Sequence, residues 1–593
     1  MQKKWILPSS ADSKLVERLA KELKLPLALT EVLVQRGYAS VEVATNFLNP
    51  RLAQLRPPEE IPNISAAADR LQVALQKKEK IILYGDYDVD GITSLTLLCR
   101  SLRALGGDVD CFIPERASEG YGLSKAGLKR CFEIFKPGLI VAVDCGTNSF
   151  EEAQIIREQK IDLIVVDHHE IQNRGQAKIF DKTSIVVESI ETSSCFVKNL
   201  SLTSILVNPQ LGSDYHYLCS VGLVFKLVHA LLKRYPAPPF DLREYLDLVA
   251  LGTVADIVPL TKENRIFVTH GLKQLAKSRW PGVVALIKIA EVQPPFTTYD
   301  VGYKLGPRLN AAGRLSSALE ALELLLTDDP NTATRLAHDL DLRNRERQLI
   351  ERAVTQEAEE LVTSIFSTSS PKSIVLGRSH WHHGVVGIVA SRISKRWHRP
   401  TLIIGFDEQG LGKGSGRSIE DFSLVMALEK CAAVLETFGG HAMAAGLTLK
   451  KKNCDILASS FEQAAELLLT EEELTPKLRF HAEIKTSELD SSWLLAQERL
   501  APFGAGNAQP LFLAYSLIPL REPRLLKEKH LRFEFAGKKN VPLIGIFFNG
   551  AQEPLPKPPW DIAFTLMSNT YLGRTTMQLQ IVAIRTSSLS QLI

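Results

Sequence analysis

Three apolar runs of strand length in the first half of the chain each lead directly into acidic or imidazole side chains. Residues 81–83 precede Asp86, Asp88 and Asp90, residues 139–143 precede Asp144, and residues 163–166 precede Asp167, His168 and His169. The runs alternate with amphipathic helical stretches, which predicts a parallel sheet covered on both faces. Because ligands gather beyond the carboxyl ends of such strands, we expect these side chains to lie together.

A cluster of this kind predicts a metal site. Like-charged carboxylates tolerate crowding when cations lie between them, and enzymes that attack phosphate esters use paired metal ions in this way. Oxygen-rich sites with one or two imidazoles suit Mn²⁺ or Mg²⁺. Structural zinc would require clustered cysteines, and the eight cysteines here form no CxxC pair.

Each acid has a simpler interpretation when it is taken alone. An aspartate at the end of a strand is commonly a cap or turn residue. Asp256, which follows Gly252-Thr253-Val254-Ala255, could equally mark the end of a helix and the start of a turn. The recurrence of the pattern favours the metal site for the group as a whole.

The length and charge of the chain restrict its class only loosely. At 593 residues several domains are expected. The net charge of +3 neither requires nor excludes a nucleic-acid partner, because a basic groove can be local. The N-terminus lacks the apolar core of a signal peptide, and no apolar run approaches the roughly 20 residues of a membrane span. We therefore expect a cytoplasmic protein that does not engage a membrane.

Changes in composition and in the periodicity of apolar residues along the chain predict five segments. They are an N-terminal helical segment (1–75), an α/β domain (76–330), a long connecting helix (331–370), a smaller α/β domain (371–470) and an all-β domain (471–593). The predicted fold class is therefore α/β, with a small C-terminal β-barrel. The polar segment 171–204 is interpreted as a surface insertion.

Two glycine-rich stretches in the smaller α/β domain, residues 412–418 and 439–446, are interpreted as loops. Glycine turns let backbone N–H groups approach a phosphate, and Arg417 and His441 would add positive charge or donors. Plain turns are the alternative. His382 and His383 lie side by side nearby, and such pairs are often merely solvated.

Aromatic residues in the C-terminal domain alternate with basic ones. Phe533, Phe535, Phe547 and Phe548 could stack on the bases of a single strand. Burial in the domain core is the favoured interpretation of each phenylalanine.

Four segments resemble the metal motifs of the DHH phosphoesterase superfamily: residues 86–91, 143–146, 167–169 and 252–256. Residues 306–314, 415–418, 439–441 and 502–507 extend the resemblance to the bacterial single-strand-specific DNA exonucleases of that superfamily. The motifs occur in the family's order and cover about residues 50–590.

The resemblance implies a DHH domain, a DHHA1-type domain and an OB-fold. It implies a 5′→3′ exonuclease of DNA repair and recombination that hydrolyses single-stranded DNA with two Mn²⁺ or Mg²⁺ ions and releases 5′ mononucleotides. The implied metal ligands are Asp86, Asp88, Asp144, His168 and Asp256, with Asp144 shared by both ions. Asp90 would bind metal or orient the ligands, and His169 would contact the scissile phosphate.

The resemblance also implies residues that hold the substrate. Arg308, Asn310 and Arg314 would touch the DNA backbone, and Ser415, Arg417, Gly440 and His441 would hold the 5′-terminal nucleotide. A single-strand-binding protein and a helicase are the implied partners. Smaller superfamily members carry a histidine four residues before the first aspartate, where this chain has Ile82.

Two other functions fit parts of the sequence. A relative that acts on small substrates, such as a pyrophosphatase, a cyclic-dinucleotide phosphodiesterase or an oligonucleotide hydrolase, would share the metal motifs but would generally lack the terminal barrel. A non-catalytic scaffold would have lost metal ligands, whereas every metal motif is intact here.

Overall fold

The structure is a computed structural model that describes residues 3–8, 11–115, 119–120, 122–171, 204–237, 240–315, 317–538, 541–552, 554–571 and 574–587. The predicted insertion at 171–204 lies almost entirely outside the described residues. Among the helices that are described, none combines the length and apolarity needed to span a bilayer.

The first fifty residues pack against the end of the chain. They form β1 (Lys4–Ile6), α1 (Ser13–Leu23), α2 (Leu27–Gln35) and α3 (Val41–Leu48). Strand β1 pairs in parallel with a strand at Lys477–Arg479. Leu29 and Phe47 lie in the same hydrophobic core as Phe512. The predicted N-terminal helical segment therefore shares its core with the C-terminal domain.

The large α/β domain is built on a parallel sheet of five strands in the order β3-β2-β4-β5-β6. Its strands are β2 (Lys80–Gly85), β3 (Asp108–Phe112), β4 (Leu139–Val143), β5 (Asp162–Val166) and β6 (Ser204–Val207). Alternate residues enter two different cores, with Ile81 and Val141 on one face and Ile82 and Ile140 on the other. Burial on both faces explains why the strands are continuously apolar.

The described helices of this domain cover both faces of the sheet. They are α4 (Ile64–Lys77), α5 (Val89–Ala104), α6 (Lys125–Ile134), α7 (Phe150–Glu158), α8 (Ser220–Arg234), α9 (Leu246–Ala255), α10 (Lys262–Leu275), α11 (Pro281–Ile289), α12 (Thr298–Asp300), α13 (Gly306–Leu315) and α14 (Leu319–Leu326). A π-helical turn at Val301–Leu305 joins α12 to α13. The core begins at Ile61, before the boundary that the sequence suggested at residue 76.

The long connecting helix, α15, extends over Pro330–Thr368. Asp329 caps it by accepting hydrogen bonds from the backbone N–H groups of Asn331 and Thr332, which fixes where the helix begins. Its 39 residues span about 58 Å at 1.5 Å per residue. Leu340 packs into the large domain and Val362 into the smaller one, so a single rigid element carries both.

The smaller domain has a five-stranded sheet in the order β10-β11-β9-β8-β7. Its elements are β7 (Ile374–Arg378), α16 (His383–Trp397), β8 (Thr401–Phe406), β9 (Leu411–Arg417), α17 (Leu424–Lys430), β10 (Thr437–Gly440), β11 (Ala444–Lys450) and α18 (Cys454–Leu468). Strands β7 and β8 are parallel, and the other pairs are antiparallel.

Both glycine-rich stretches are mainly paired strands, so their interpretation as loops is wrong. Strand β9 pairs along its length with β8 and β11, which commits backbone groups that a phosphate-binding loop would leave open. A Cβ on Gly412 would lie 2.5 Å from the ring of Phe406, and one on Gly416 would lie 2.8 Å from Leu402. These glycines make room for core side chains.

The C-terminal domain contains a seven-stranded sheet in the order β13-β14-β18-β19-β17-β16-β15. Its elements are β12 (Lys477–Arg479), β13 (Ala482–Glu483), α19 (Ser491–Glu498), β14 (Phe512–Leu517), β15 (Arg524–Leu526), β16 (His530–Ala536), β17 (Pro542–Phe547), β18 (Trp560–Tyr571) and β19 (Arg574–Thr586). Phe533 and Phe535 are fully buried, so base stacking is wrong for both, whereas Phe548 is exposed.

One buried arginine joins three parts of the chain. The guanidinium of Arg265, on α10, donates to the carbonyl oxygens of Phe47 (2.6 Å), Leu500 (2.9 Å) and Ala501 (2.7 Å). It also lies 3.7 Å from the centroid of the Phe47 ring. The N-terminal helices, the large domain and the C-terminal domain therefore share a single hydrogen-bonded junction.

Replacement of Arg265 by Met should loosen this junction. The variant keeps much of the apolar packing but removes the guanidinium donor from the carbonyl oxygens of Phe47 and Ala501, whereas the Leu500 carbonyl still accepts from the Asn507 amide. We expect the free energy of unfolding to fall by about 3 kcal/mol. Thermal unfolding and limited proteolysis between the domains would measure the effect.

Arg243→Met is the control, because Arg243 is 73% exposed and forms an ion pair with nearby Asp241. If the two variants unfold at the same temperature and are cleaved at the same rate, Arg265 does not hold the three parts of the chain together.

Candidate functional site

The predicted acids and imidazoles converge at the carboxyl edge of the large sheet. Within the described part of the chain, three groups of possible metal ligands each have their ligand atoms within 4.8 Å of one another. They are Asp86 with Asp88 and Asp144, Asp144 with His168 and His169, and Asp90 with Cys219 and Asp256. Asp144 belongs to two groups, which is the arrangement expected of a ligand shared by two cations.

Asp144 is held in an uncommon backbone conformation. Its φ of 60° lies in the left-handed region, which costs a non-glycine residue about 1–2 kcal/mol and is often found at functional sites. Its backbone N–H donates to the carbonyl oxygen of Val166 (3.0 Å), and the Ser220 hydroxyl donates to its Oδ1 (2.9 Å). Neighbouring elements therefore fix both the backbone and the carboxylate.

The turn that carries Asp86, Asp88 and Asp90 is tight. Asp88 caps α5 by accepting from the N–H of Gly91 (3.1 Å). A Cβ on Gly91 would lie 2.6 Å from the carbonyl oxygen of Asp86, so only glycine fits there. Close approach of the chain to itself brings the first two acids to one side of the site.

Asp90 is anchored by a helix N-terminus. Its two carboxylate oxygens accept hydrogen bonds from the backbone N–H groups of Ser220 (2.7 Å) and Val221 (2.9 Å), at the start of α8. Such contacts suit a carboxylate, because the helix end carries partial positive charge. They favour the role of orienting the site, and a direct bond from Asp90 to metal stays a prediction.

His168 lies among three carboxylates. Its Nε2 is 3.5 Å from Asp144 Oδ1, 3.7 Å from Asp256 Oδ2 and 4.0 Å from Asp90 Oδ2. Burial and the charge of His169 lower the pKa of His168 to about 4, in spite of the acids around it. The imidazole is therefore neutral near pH 7, the state in which it can ligate a metal.

His169 has the opposite charge state because Asp167 supports it. Its Nδ1 lies 2.6 Å from Asp167 Oδ1. Burial lowers the pKa of His169, but the hydrogen bond and charge of Asp167 outweigh it and raise the value to about 9. The Thr147 N–H also donates to Asp167 (3.0 Å). The sequence grouped Asp167 with the predicted metal cluster, whereas the structure pairs it with His169 and leaves it outside the three ligand groups of the described residues.

The rest of the site is strongly acidic. Burial, reinforced by the charges of neighbouring aspartates, raises the pKa of Asp90, Asp144 and Asp256. Asp256 reaches the cluster from the C-terminal end of α9, so it is both a helix-end residue and part of the site. The donor set, carboxylate oxygens with a neutral imidazole, fits divalent cations such as Mn²⁺ or Mg²⁺.

The smaller domain meets the acidic site through His441. Its Nδ1 lies 3.3 Å from Oε2 of Glu170, the residue after His169. Gly440 has a φ of 135°, and a Cβ there would lie 2.5 Å from the carbonyl oxygen of Ala444.

Arg417, at the end of β9, donates to the Ser415 hydroxyl (3.0 Å) and to the Gly416 carbonyl. No carboxylate of the described residues pairs with it.

The three predicted contacts on α13 have different surroundings. Arg308 is engaged by Asp341 of α15 (2.9 Å) and by the Lys304 carbonyl (2.7 Å), so any contact with DNA would compete with an ion pair. Arg314 donates to the Gly384 carbonyl (3.1 Å) and lines, with Asn310, a cleft of about 870 Å³.

His382 is a helix cap: its Nδ1 accepts from the N–H of Gly384 (3.0 Å).

The motif at residues 502–507 docks the C-terminal domain beside Asp256. The Leu260 N–H donates to the Ala505 carbonyl (2.7 Å), and the Thr298 hydroxyl donates to that of Phe503 (2.6 Å). Gly506 has a φ of 67°, and a Cβ there would lie 2.9 Å from Pro259. The motif at residues 502–507 therefore serves to join two domains.

Three protein-family models match successive parts of the chain. They are the DHH family, N-terminal domain (80–253), the DHHA1 domain (370–468) and the RecJ OB domain (480–583). The single-stranded-DNA-specific exonuclease RecJ of Haemophilus influenzae is 32% identical over 592 residues, which cover 95% of this chain and 98% of that protein. The chain belongs to the RecJ family.

Other RecJ proteins agree in sequence and fold. RecJ of Bacillus subtilis is 36% identical over 86% of this chain, and the match spans 61% of that relative's length. The crystal structure of Thermus thermophilus RecJ in complex with Mn²⁺ superposes with a TM-score of 0.80 at 29% identity, covering 99% of this chain and 80% of that one. The predicted architecture of DHH domain, DHHA1 domain and OB-fold is confirmed.

The raised carboxyl pKa values make the stability of this RecJ-family protein depend on pH and metal. Without metal, the folded state holds protons more tightly than the unfolded state, so stability is greatest below about pH 4 for these groups and is lost as pH rises through their folded pKa values. Cations relieve the repulsion. We expect Mn²⁺ to raise the melting temperature more at about pH 8 than at about pH 6.

Asp144→Asn should raise the melting temperature of the metal-free protein at about pH 8 and abolish the response to Mn²⁺, because it removes one buried charge and one shared ligand. The control is Asp247→Asn, since Asp247 is also buried with a raised pKa but lies in none of the three ligand groups. An undiminished Mn²⁺ shift in Asp144→Asn would contradict the assignment of Asp144.

Proposed function

We propose that this chain hydrolyses single-stranded DNA from its 5′ end and releases 5′ mononucleotides, in DNA repair and recombination. The main support is that Asp144 belongs to two of the possible ligand groups at the sheet edge. This edge lies next to the contact between Glu170 and His441 of the second domain. Relatives named single-stranded-DNA-specific exonucleases share nearly the whole length of the chain.

Two divalent cations would be held by the clustered side chains. Asp86 and Asp88 would bind one ion, His168 and Asp256 the other, and Asp144 both. When bound, such ions supply an activated water and neutralise the charge that develops on the phosphodiester. Mn²⁺ and Mg²⁺ are the candidates, because RecJ of Thermus thermophilus has been crystallised in complex with each of them.

The protein's own groups would orient and complement the phosphate. The His169 imidazolium, held by Asp167, can donate a charge-assisted hydrogen bond to a non-bridging phosphate oxygen. Ser220 keeps Asp144 in place through its hydroxyl, and Asp90 is anchored by the start of the same helix. These contacts preorganise the site, so little rearrangement is needed when the substrate arrives.

Direction would come from the second domain. Arg417 is partly buried without a carboxylate partner in the described chain, which suits a 5′-terminal phosphate. His441 and Ser415 would assist, and Gly440 allows the turn that presents His441. Asn310, Arg314 and Arg308 would contact the backbone of the strand. A single-strand-binding protein and a helicase are proposed partners that would expose and deliver such ends.

A small-substrate phosphoesterase would share the metal groups but has no evident use for the OB domain at residues 480–583. The two functions separate on substrate length. The proposed exonuclease shortens a long 5′-phosphorylated strand stepwise in the presence of Mn²⁺, whereas a small-substrate enzyme would act on dinucleotides and leave the long strand intact.

Asp144→Ala should reduce release of mononucleotides from such a strand by roughly a thousand-fold or more, because both cations lose a ligand. Binding of the strand, measured by fluorescence anisotropy, should change little. Asp69→Ala serves as control, since Asp69 pairs with Arg234 at the surface. Normal turnover by Asp144→Ala would exclude the proposed site.

Arg417→Ala should diminish the preference for a 5′-phosphate over a 5′-hydroxyl end by roughly ten-fold or more, measured as the ratio of kcat/KM values. The matched control is Arg396→Ala, since Arg396 is 62% exposed in the same domain and pairs with Glu359. If the two variants keep the same end preference as the unaltered chain, Arg417 does not read the 5′ end.

A further inference from the structure

Asp256 receives little support from the groups around its carboxylate. Its Oδ2 is buried and accepts no hydrogen bond among the described residues, although it lies 3.7 Å from His168 Nε2. Asp90 and Asp144, by contrast, are fixed by donors at the start of α8. Asp256 also follows the C-terminal end of α9, where the helix dipole does not favour a negative charge. Its position therefore depends on the backbone that follows it.

The backbone after Asp256 is strained. Ile257 takes the position after the helix cap, which glycine commonly occupies, and its φ of 60° is rare for a β-branched residue. The Ile257 N–H donates to the Val254 carbonyl (3.3 Å), but its side chain is 74% exposed, so packing contributes little to holding the turn. Lys262, at the start of α10, is also left-handed, with a φ of 48°. A turn of this kind persists only when its surroundings hold it.

A loop of the OB domain, residues 502–507, packs on the middle of this turn and is called the docking loop here. The Leu260 N–H donates to the Ala505 carbonyl (2.7 Å), and the Leu260 side chain is buried. A Cβ on Gly504 would lie 2.7 Å from Leu260 Cδ1, so the contact leaves no room for a side chain at that point. The turn after Asp256 is therefore held from outside the DHH domain.

The docking loop is itself well fixed. Gly504 and Asn507 exchange two backbone hydrogen bonds (3.0 and 3.1 Å). The buried amide of Asn507 donates to the carbonyl oxygens of Leu500 (2.9 Å) and Pro502 (2.8 Å), and its Oδ1 accepts from Arg36 of the N-terminal segment (2.5 Å). These contacts make the loop a preformed surface on which the turn can rest.

We propose that the docking loop is a positioning element of the metal site, which holds the strained turn through Leu260 and so aims Asp256 at the divalent cation that it shares with His168. The proposal rests on the two-cation function given above. It adds that one of the two ions is bound tightly only when the OB domain is docked. Groups that orient metal ligands commonly change metal affinity by roughly 10- to 100-fold.

Gly504→Val tests this contact in the full-length chain, because the added side chain would meet Leu260 and separate the two segments. Calorimetric titration with Mn²⁺ should show two binding steps in the unaltered chain, and Asp256→Asn identifies the step that depends on Asp256. Gly504→Val should weaken that same step roughly ten-fold or more and leave the other within about three-fold. An unchanged titration in Gly504→Val would overturn the proposal.

Gly545→Val is the matched control. Gly545 lies in β17 of the same domain, and a Cβ there would lie 2.9 Å from Ile581 and 3.2 Å from Phe535, so this substitution also crowds the OB domain. It should leave both Mn²⁺ steps unchanged. If Gly545→Val weakens the Asp256 step as much as Gly504→Val does, the effect belongs to the stability of the OB domain and the proposed contact is refuted.

Thr298→Val is a milder variant, which decides the question if Gly504→Val does not fold. It keeps the shape of the side chain and removes the hydrogen bond from the Thr298 hydroxyl to the Phe503 carbonyl of the docking loop (2.6 Å). The Asp256 step should weaken roughly three-fold while the other step stays the same. An Asp256 step of unaltered affinity in this variant would contradict the proposal.

Hydrogen exchange of the metal-free protein gives a readout that needs no cation. The backbone amides of Asp256 and Ile257 donate to carbonyl oxygens in the last turn of α9. They should exchange roughly ten-fold faster in Gly504→Val than in Gly545→Val, because the first variant releases the turn and the second does not. Equal exchange rates in the two variants would argue that the docking loop does not hold the turn.

The proposed function and the positioning role fail in different ways. An unaltered chain that binds fewer than two Mn²⁺ ions, or that does not shorten a long 5′-phosphorylated single strand, would refute the proposed function and the positioning role with it. An active unaltered chain that binds two ions, together with a Gly504→Val variant that binds both as tightly, would refute only the positioning role.

Discussion

Repulsion among buried carboxylates is the constraint around which the large domain is organised. Asp86, Asp90 and Asp144 are almost completely buried at the carboxyl edge of one sheet. Burial and the charges of neighbouring aspartates raise the pKa of Asp90 and of Asp144. Helix ends, backbone amides and a serine hydroxyl hold them in this arrangement. A protein gains nothing in stability from such a cluster without cations, so its presence points to metal chemistry.

The domains that surround the cluster are placed by long-range contacts instead of flexible linkers. The connecting helix α15 contributes to the cores of both α/β domains, and Arg265 joins the N-terminal helices and the C-terminal domain to the large domain. The loop at residues 502–507 docks next to Asp256. These contacts fix the position of the OB domain relative to the metal site. A fixed arrangement suits an enzyme that must deliver one strand to its catalytic centre.

Much of the fold followed from local patterns. The strands that contain residues 81–83, 139–143 and 163–166, the long connecting helix and the all-β character of the C-terminal domain were predicted, because alternation and continuous apolar runs reflect burial directly. The glycine-rich stretches were misread, since glycine serves turns and crowded strands alike. Burial of Phe533 and Phe535 agrees with the interpretation that was favoured for each ring.

The sequence by itself determined the residue types of the site and the order of the domains, because acids after buried strands must meet at one edge of a parallel sheet. Only the tertiary structure decided what each group does there. Ser220 and Asp167 orient Asp144 and His169 through contacts across 76 and 2 positions of the chain. Opposite pKa shifts of the adjacent His168 and His169 arise from unequal burial and from one carboxylate. Such differences depend on distances in space, which no spacing in sequence encodes.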